Sequence, residues 1–275
     1  MNMTYRASVD RRRVPQGSQA VRNKMFTMLP GNAVTQTVIL AAGTGTRLTN
    51  VPNAVPKPLT TVGGVPLLGH ALAQARASGC AEAIVVVGCE GARVRAAALS
   101  MSCGLRLTFL ETPDPSAPNG VSLLAAEPAA ASTFFLQMVD HLFDDVVLPK
   151  LVAAPLEGAG GRVLVDRAPD GISLGDATKV RLAGDRVLAI GKTVEPWDAI
   201  DAGCFVLTSA VFDALRRAPS SEPRTVSSGM RQLAAQGLLS AVDVDGLGWV
   251  DVDTPADREI AERRFQRTAT VSAAL

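Results

Sequence analysis

Two hydrophobic patterns alternate along the first half of the chain. Residues 34–41 form a largely β-branched and apolar run, typical of a strand buried on both faces of a parallel sheet. A similar run recurs at residues 82–88. The predicted elements are strands at 34–41, 82–88, 105–110 and 133–139, and helices at 66–78, 90–100 and 120–127. Strands that alternate with helices at this spacing predict an α/β fold with a Rossmann-like, doubly wound and mostly parallel sheet.

The pattern changes after Pro149, where short strands separated by turn residues replace the alternation. The elements predicted here are strands at 162–167, 178–182, 187–191 and 202–207, helices at 209–217 and 226–236, a last pair of strands at 239–244 and 248–252, and a helix at 255–268. Residues 183–185 have the composition of a hairpin tip. We therefore predict one domain over residues 34–270, with a first half at 34–150 and a smaller, mixed and β-rich half at 151–270.

Composition narrows the classes of protein that this sequence can represent. The formal net charge is +1, which argues against a protein that binds nucleic acid by neutralising its phosphates. No apolar run approaches the roughly 20 residues that span a bilayer, so we predict no transmembrane segment and a cytoplasmic location. The four cysteines are scattered without a C-x-x-C pair, which disfavours a zinc site. Residues 1–33 are rich in arginine and lack the apolar stretch of a secretory signal, and we predict a disordered basic extension there.

A glycine-rich loop follows the first predicted strand. Glycines at this position let backbone N–H groups approach a phosphate without obstruction by side chains. Arg47 ends the loop with a fork of donors, and Lys57 adds a compact charge between two prolines, so both suit the phosphates of a nucleotide. The backbone expected to bind the nucleotide comprises Leu40, Ala41, Ala42, Gly43, Thr44, Gly45 and Thr46.

Two aspartates are candidate ligands of Mg²⁺. Asp140 ends the predicted strand at 133–139, at the edge of the sheet where open α/β folds bind ligands. Asp253 lies in a second segment, and two carboxylates with phosphate oxygens fit the needs of the ion. From residue type alone, Asp253 could instead cap the helix that begins at Pro255, a role for which Thr254 competes. Asp251 and Asp253 together would also fit the D-x-D of a glycosyltransferase.

The combined motifs resemble the sugar-phosphate nucleotidyltransferase superfamily. The similarity rests on the run from Leu40 to Leu48, on residues 56–59 (P-K-P-L) and on residues 62–68 (V-G-G-V-P-L-L). It implies a fold of the GT-A-like type, metal ligands at Asp140 and Asp253, and a wall around the base and ribose from Asn119, Gly120 and Ser122. It also implies that the first half binds an NTP and that the second half binds the acceptor and completes the metal site.

A closer resemblance, carried mainly by motifs of the second half, is to a narrower family, the CTP:inositol-1-phosphate cytidylyltransferases. This similarity covers about residues 34–262, and its motifs include residues 140–141, 165–167, 176–180, 190–192, 195–205 and 251–255. It implies transfer of CMP from CTP to a small phosphorylated alcohol, best inositol 1-phosphate. The residues then expected to carry the reaction are Arg47, Lys57 and Lys179, and those expected to bind the acceptor are Arg167, Lys179, Lys192 and Asp201. Ala202 and Pro118 depart from the family pattern, which weakens the choice of acceptor.

Several alternatives stay open at the level of sequence. The acceptor could be phosphocholine, an alkylphosphonate or a sugar 1-phosphate, and the chain could be a GT-A glycosyltransferase or a nucleotide-binding subunit without turnover. His141 and Trp197 each have a structural interpretation beside a functional one. We expect the product to pass to a separate membrane phosphotransferase, with a homodimer as one option for the assembly.

Overall fold

The computed structural model describes residues 34–43, 55–88, 90–101, 103–153, 156, 160–169 and 174–272, with side chains as far as 265. The predicted basic extension at 1–33 lies outside these ranges, as do Thr44, Gly45, Thr46 and Arg47. None of the described helices is long and apolar enough to cross a membrane.

The strands are β1 (Gln36–Ala41), β2 (Thr61–Val62), β3 (Val65–Pro66), β4 (Glu82–Val87), β5 (Arg106–Glu111), β6 (Thr133–Met138), β7 (His141–Phe143), β8 (Gly161–Asp166), β9 (Lys179–Ala183), β10 (Arg186–Gly191), β11 (Ala199–Thr208), β12 (Leu239–Asp243) and β13 (Trp249–Asp251). The helices are α1 (Leu67–Ala77), α2 (Gly91–Ser100), α3 (Asn119–Ala126), α4 (Val147–Leu151), α5 (Ala210–Arg217), α6 (Val226–Ala235) and α7 (Pro255–Ser272). Short 3₁₀ helices cover Lys57–Leu59 and Glu127–Ala129.

Strands from both halves of the chain share one sheet. Among the described residues this sheet has nine strands in the order β5-β4-β1-β6-β11-β8-β12-β10-β9. The strands β5, β4, β1 and β6 are parallel, whereas β11 runs antiparallel to both β6 and β8. The predicted α/β sheet is therefore confirmed, and the second half makes it mixed.

Helices cover both faces of the sheet, as a doubly wound fold requires. The inner strand β1 is buried along its whole length. Its Ile39 packs in one apolar cluster with α1 and α2, and its Val38 packs in another with α3, α5 and α6. This alternation follows from the two-residue period of a strand and explains why β1 has apolar residues on both of its faces.

The two last predicted strands are both present, as β12 and β13, but they do not pair with each other. The strand β12 lies beside β8 and β10 in the large sheet, whereas β13 pairs with β7 in a separate two-stranded sheet. The short strand β7 was missed because it has three residues and begins directly after Asp140. Its pairing with β13 sets Asp251 opposite His141, and so brings two distant segments together.

Candidate active site

Lys57 joins the two aspartates that the sequence predicts as metal ligands. Its Nζ donates to Asp140 Oδ2 at 2.6 Å and to Asp253 Oδ1 at 2.5 Å. The lysine is held by a 3₁₀ turn between Pro56 and Pro58, and its side chain is 9% exposed. Burial alone would lower the pKa of Lys57, but the charges and hydrogen bonds of the two carboxylates outweigh burial and raise it. The lysine therefore remains a cation in this site.

Asp140 lies where its strand leaves the sheet and contacts His141 as well as Lys57. Asp140 Oδ1 and His141 Nδ1 lie 2.7 Å apart. Burial would raise the pKa of Asp140, but the hydrogen bond from His141 and the charges of His141 and Lys57 hold it well below its ordinary value. For His141, burial favours the neutral ring, whereas Asp251 and Asp140 raise its pKa to about 9. The result is a carboxylate that stays ionised between two cations.

The imidazole of His141 is enclosed by residues from the second half of the chain. Its ring stacks on Trp249 with centroids 5.8 Å apart and an interplanar angle of 9°. The indole Nε1 of Trp249 donates to Asp166 Oδ2 at 2.8 Å. On another side lies Gly203, at a φ of 73°, where a Cβ would overlap the imidazole. Trp249 and Gly203 therefore leave the ring little freedom to rotate away from Asp140.

Asp253 and Asp251 enter the site from the segment between β13 and α7. Thr254 caps α7, because its Oγ1 accepts from Asp257 N at 3.2 Å while Asp257 Oδ2 accepts from Thr254 N at 2.8 Å. Thr254 and Asp257 therefore cap the helix, and Asp253 does not have the alternative role of helix cap. Its carboxylate contacts Lys57 instead. Asp251 Oδ1 is buried without a hydrogen bond among the described residues, and burial raises the pKa of Asp251 to about 6.

A cavity of about 590 Å³ opens in front of these groups. Its lining residues include Asn119, Met138, His141, Asp176, Thr178, Lys192, Ile200, Asp201, Gly203, Phe205, Trp249, Asp251, Asp253, Asp257, Ile260 and Arg264. Burial raises the pKa of Asp201 to about 6, and its Oδ1 accepts from Gly203 N at 2.8 Å. Residues from both halves therefore form the wall of one cavity.

The predicted nucleotide-binding residues take different positions. Leu40, Ala41 and Ala42 are buried, so they offer backbone at the end of β1, while Gly43 is exposed with open space where a Cβ would stand. Asn119 lines the cavity, and its Oδ1 accepts from Val226 N at 2.9 Å.

Gly120 and Ser122 do not line that cavity. A Cβ on Gly120 would lie 2.5 Å from Arg224 O, so this glycine allows α3 to pack closely on the segment before α6. Ser122 Oγ contacts Thr112 Oγ1 at 3.2 Å in the interior. The structure therefore gives these two residues packing roles and leaves their contact with a nucleotide a prediction.

The cations predicted to bind the acceptor do not converge on one position, as Lys57 and its two aspartates do. Arg167 donates to Gly184 O at 3.1 Å and pairs with Asp243, and Lys179 Nζ lies 2.8 Å from Glu195 Oε1. Neither lines the cavity. Lys192 does line it, although its side chain is 62% exposed and its Nζ lies 3.0 Å from Asp176.

Sequence reasoning missed Gly203, Trp249 and Arg264 as residues of the site and left His141 open. The one signal for His141 was its place after Asp140, and the β7–β13 pairing that brings Trp249 beside it has no local signature. Trp197 packs against an apolar cluster and does not line the cavity, in line with the core interpretation of a lone tryptophan. His70 is likewise structural, because its Nε2 contacts Val62 O at 2.9 Å.

The fold and the site together define a class of α/β protein. In this class a lysine and several carboxylates lie near the edge of the sheet where the parallel strands end, and these residue types suit a phosphate and a metal ion. Residues 37–235 match the MobA-like NTP transferase domain, and the chain belongs to that family. It is 37% identical over 227 residues to the bifunctional IPC transferase and DIPP synthase of Rubrobacter xylanophilus, covering 82% of this chain and 50% of that protein. The Thermococcus kodakarensis protein of the same description is 32% identical over 242 residues, covering 88% of this chain and 52% of that one.

The chain thus spans about half the length of these curated relatives. Among solved structures, it is similar to the inositol-1-phosphate CTP transferase from T. maritima, with a TM-score of 0.77 and 24% identity. That match covers 85% of this chain and 96% of the other. It shows a common fold.

Proposed function

We propose that this chain transfers CMP from CTP to a small phosphorylated alcohol, best inositol 1-phosphate, and releases pyrophosphate. The observation that carries the proposal is the convergence of Lys57, Asp140 and Asp253 from three separate segments beside the cavity. Membership of the NTP transferase family and the descriptions of the relatives support the choice of reaction and substrates. The product of this reaction would be CDP-inositol.

The proposed reaction is an in-line displacement at the α-phosphorus of CTP. A phosphate oxygen of the acceptor forms the new P–O bond, and the bond to the β-phosphate breaks with its electron pair leaving on pyrophosphate. No general base is required, since the second pKa of a phosphate monoester is about 6 and the nucleophile is already an anion near pH 7. The protein therefore has to position two polyanions and offset their charge.

The residues of this chain suit that task in distinct ways. Lys57 offers a fixed cation beside the carboxylates, and we assign it, with Arg47 and Lys179, to stabilising the charge that develops during transfer. Backbone from Leu40 to Thr46 and the wall at Asn119, Gly120 and Ser122 are assigned to the nucleotide. Arg167, Lys179, Lys192 and Asp201 are assigned to the acceptor.

The proposed cofactor is Mg²⁺, held by Asp140 and Asp253. The donor set fits a hard cation, because carboxylate oxygens are its preferred protein ligands. Among the described residues, the ligand atoms that lie within 4.8 Å of one another belong to Asp140, His141 and Asp251, a group that shares Asp140 with the proposed pair but does not include Asp253, whose carboxylate contacts Lys57. A bound Mg²⁺ would supply Lewis-acid stabilisation of phosphate charge. Consumption of the product by a membrane phosphotransferase and a homodimeric assembly remain predictions.

A matrix assay of pyrophosphate release tests the reaction and its substrates together. The four NTPs are crossed with inositol 1-phosphate, phosphocholine, 2-hydroxyethylphosphonate and glucose 1-phosphate in the presence of Mg²⁺. We expect release with CTP and inositol 1-phosphate, its loss in EDTA, and its return when Mg²⁺ is added in excess. An Asp140→Ala variant in the same matrix is the negative control, because it removes one proposed ligand of the ion.

The remaining outcomes separate the alternatives. Release with another pair would keep the reaction and replace the substrate. Activity that persists in EDTA would contradict the assignment of Mg²⁺. A nucleotide-binding chain without pyrophosphate release from any pair would contradict the proposed function and favour a binding subunit or a glycosyltransferase.

A further inference from the structure

Carboxylates crowd the wall of the cavity in which we propose that transfer occurs. Five aspartates line it, namely Asp176, Asp201, Asp251, Asp253 and Asp257. A phosphate monoester brings a further charge of about −1.5 to −2 near pH 7. Like charges at short range repel strongly in a partly buried site, so a cation on this wall that is not already paired with a carboxylate favours the binding of such a ligand.

Most of the cations already considered are engaged with carboxylates. Lys57 contacts the carboxylates of Asp140 and Asp253, and Lys192 is paired with Asp176 at 3.0 Å. Lys179 and Arg167 pair with carboxylates and stand outside the wall. A phosphate could recruit any of these cations after breaking its present ion pair, and that exchange would reduce the gain from binding.

Arg264 differs from all of them. It lies on α7 and lines the cavity, and it makes no ion pair with any carboxylate in the described part of the chain. Its guanidinium rests against Gly248, where a Cβ would overlap the Nε and Nη2 atoms. Only a glycine at 248 therefore leaves room for the guanidinium at this position, and the N–H groups of the guanidinium make no ion pair with a described carboxylate.

The helix that carries Arg264 is firmly placed. Arg258 Nε donates to Thr61 O at 2.9 Å, and Glu262 Oε2 accepts from Gly63 N at 2.7 Å. These bonds tie α7 to the turn that follows Lys57. A cation on such a helix loses less freedom on binding a ligand than one on a mobile loop.

We propose that Arg264 binds the phosphate of the acceptor. The inference rests on the proposed function, and it adds a binding residue that neither the motifs nor the family pattern assign. The backbone under Arg264 continues from Gly248 into Trp249, whose indole contacts Asp166 of the second half. Arg264 also lines the same cavity as Lys192 and Asp201, which the proposed function assigns to the acceptor. A guanidinium fork can take two oxygens of one phosphate, which suits a ligand that must present its remaining oxygen for attack.

The test compares Arg264→Ala and Arg264→Lys with Arg263→Ala as a matched control. Arg263 is the preceding residue of the helix, its side chain is 69% exposed, and it is paired with Glu259 at 3.8 Å. Loss of a charged, bidentate contact should raise the KM for inositol 1-phosphate by about ten- to a hundredfold in Arg264→Ala. We expect Arg264→Lys to fall between that variant and the wild type, because it keeps the charge and loses the fork. The KM for CTP should stay within about twofold in all three variants.

Three results would overturn the inference. One is an unchanged acceptor KM in Arg264→Ala, a second is a rise in the KM for CTP alone, and the third is an equal effect from Arg263→Ala. Calorimetric binding of inorganic phosphate to the wild type and to Arg264→Ala gives a readout that needs no turnover. Weaker binding by the variant supports the inference even where the substrate matrix shows no reaction, whereas equal binding, or none by the wild type, contradicts it.

Discussion

The lysine of the first half and those of the second half are held in different ways. Lys57 has a side chain 9% exposed and is fixed by two carboxylates from distant segments. Lys192 is 62% exposed and pairs with Asp176, whereas Lys179 is 18% exposed and pairs with Glu195, whose side chain is 62% exposed. An exposed ion pair contributes up to about 1 kcal/mol and is easily exchanged, whereas a buried cation between two carboxylates costs much more to move.

The difference follows from how each half is built. In the first half, parallel strands end at one edge of the sheet, and the segments that leave these ends converge there whatever their exact sequence. The second half consists mainly of antiparallel strands joined by turns, and, as in any strand, successive side chains point to opposite faces. A shift of one residue in register then decides whether a lysine meets the cavity. We infer that the centre around Lys57, to which the second half contributes Asp253, supplies fixed electrostatics, whereas the exposed ion pairs of Lys179 and Lys192 supply contacts which adjust when a ligand binds.

Removal of a charged group from the centre formed by Lys57, Asp140 and Asp253 should have the largest effect on turnover. We expect Lys57→Ala and Asp140→Ala each to reduce turnover by at least about 10²-fold, because each removes a charge positioned for transfer. Pyrophosphate release under saturating substrates measures this loss, and circular dichroism checks that each variant remains folded.

Lys150→Ala is a suitable control for this comparison. Its Nζ pairs with Asp245 at 2.6 Å, and Lys150 does not line the cavity. We expect this variant to keep wild-type turnover. Near wild-type rates in Lys57→Ala or Asp140→Ala would remove the distinction between the two halves, because the buried centre would then have no special part in the reaction.

The centre could be predicted from sequence because its residues occupy positions that topology controls. Asp140 follows a buried strand, and Lys57 and Asp253 lie in motifs shared with a known superfamily, so all three could be named before their contacts were known. The α/β sheet was predictable for a similar reason, since buried strands and helices have different periods. Arg47 and the rest of its loop lie outside the described residues, so their role stays a prediction.

Other parts depended on contacts that leave no local pattern. The pairing of β7 with β13 links residues more than a hundred positions apart. A strand of three residues is too short for its periodicity to predict either the strand or this pairing. Gly203 gives no sign in the sequence that an imidazole lies against its Cα. In the sequence, Arg264 is one of several charged residues on a predicted helix. Its position in the wall of the cavity depends on how α7 packs against the rest of the protein.

Gly203 offers a test of the contact between the two halves. An alanine there would force its Cβ into the ring of His141 and adopt a left-handed backbone at a φ of 73°. We expect Gly203→Ala to lower the free energy of unfolding by about 2–4 kcal/mol, from strain and overpacking together. Turnover should fall by about tenfold, because a displaced imidazole no longer orients Asp140. Chemical denaturation and pyrophosphate release measure the two effects.

Gly237→Ala separates backbone strain from the contact with the ring. Gly237 has a similar φ of 70°, and a Cβ there meets nothing within 4 Å. We expect this control to lose about 1 kcal/mol of stability from strain alone and to keep its turnover. Equal losses in the two variants would mean that the imidazole moves aside at little cost, and that the second half does not fix the centre.

The smallest expected effect concerns the ion pair between Lys179 and Glu195. If Lys179 binds the acceptor, it must first leave Glu195, and this exchange consumes up to about 1 kcal/mol. Glu195→Gln should therefore lower the KM for inositol 1-phosphate by up to about fivefold, since the lysine is released in advance. The same substitution in a Lys179→Ala background should have no effect, and Glu222→Gln, which alters the ion pair with Arg231, serves as the control. An acceptor KM unchanged in both Glu195→Gln and Lys179→Ala would exclude Lys179 from the acceptor site and leave the lysine with a structural role at the end of β9.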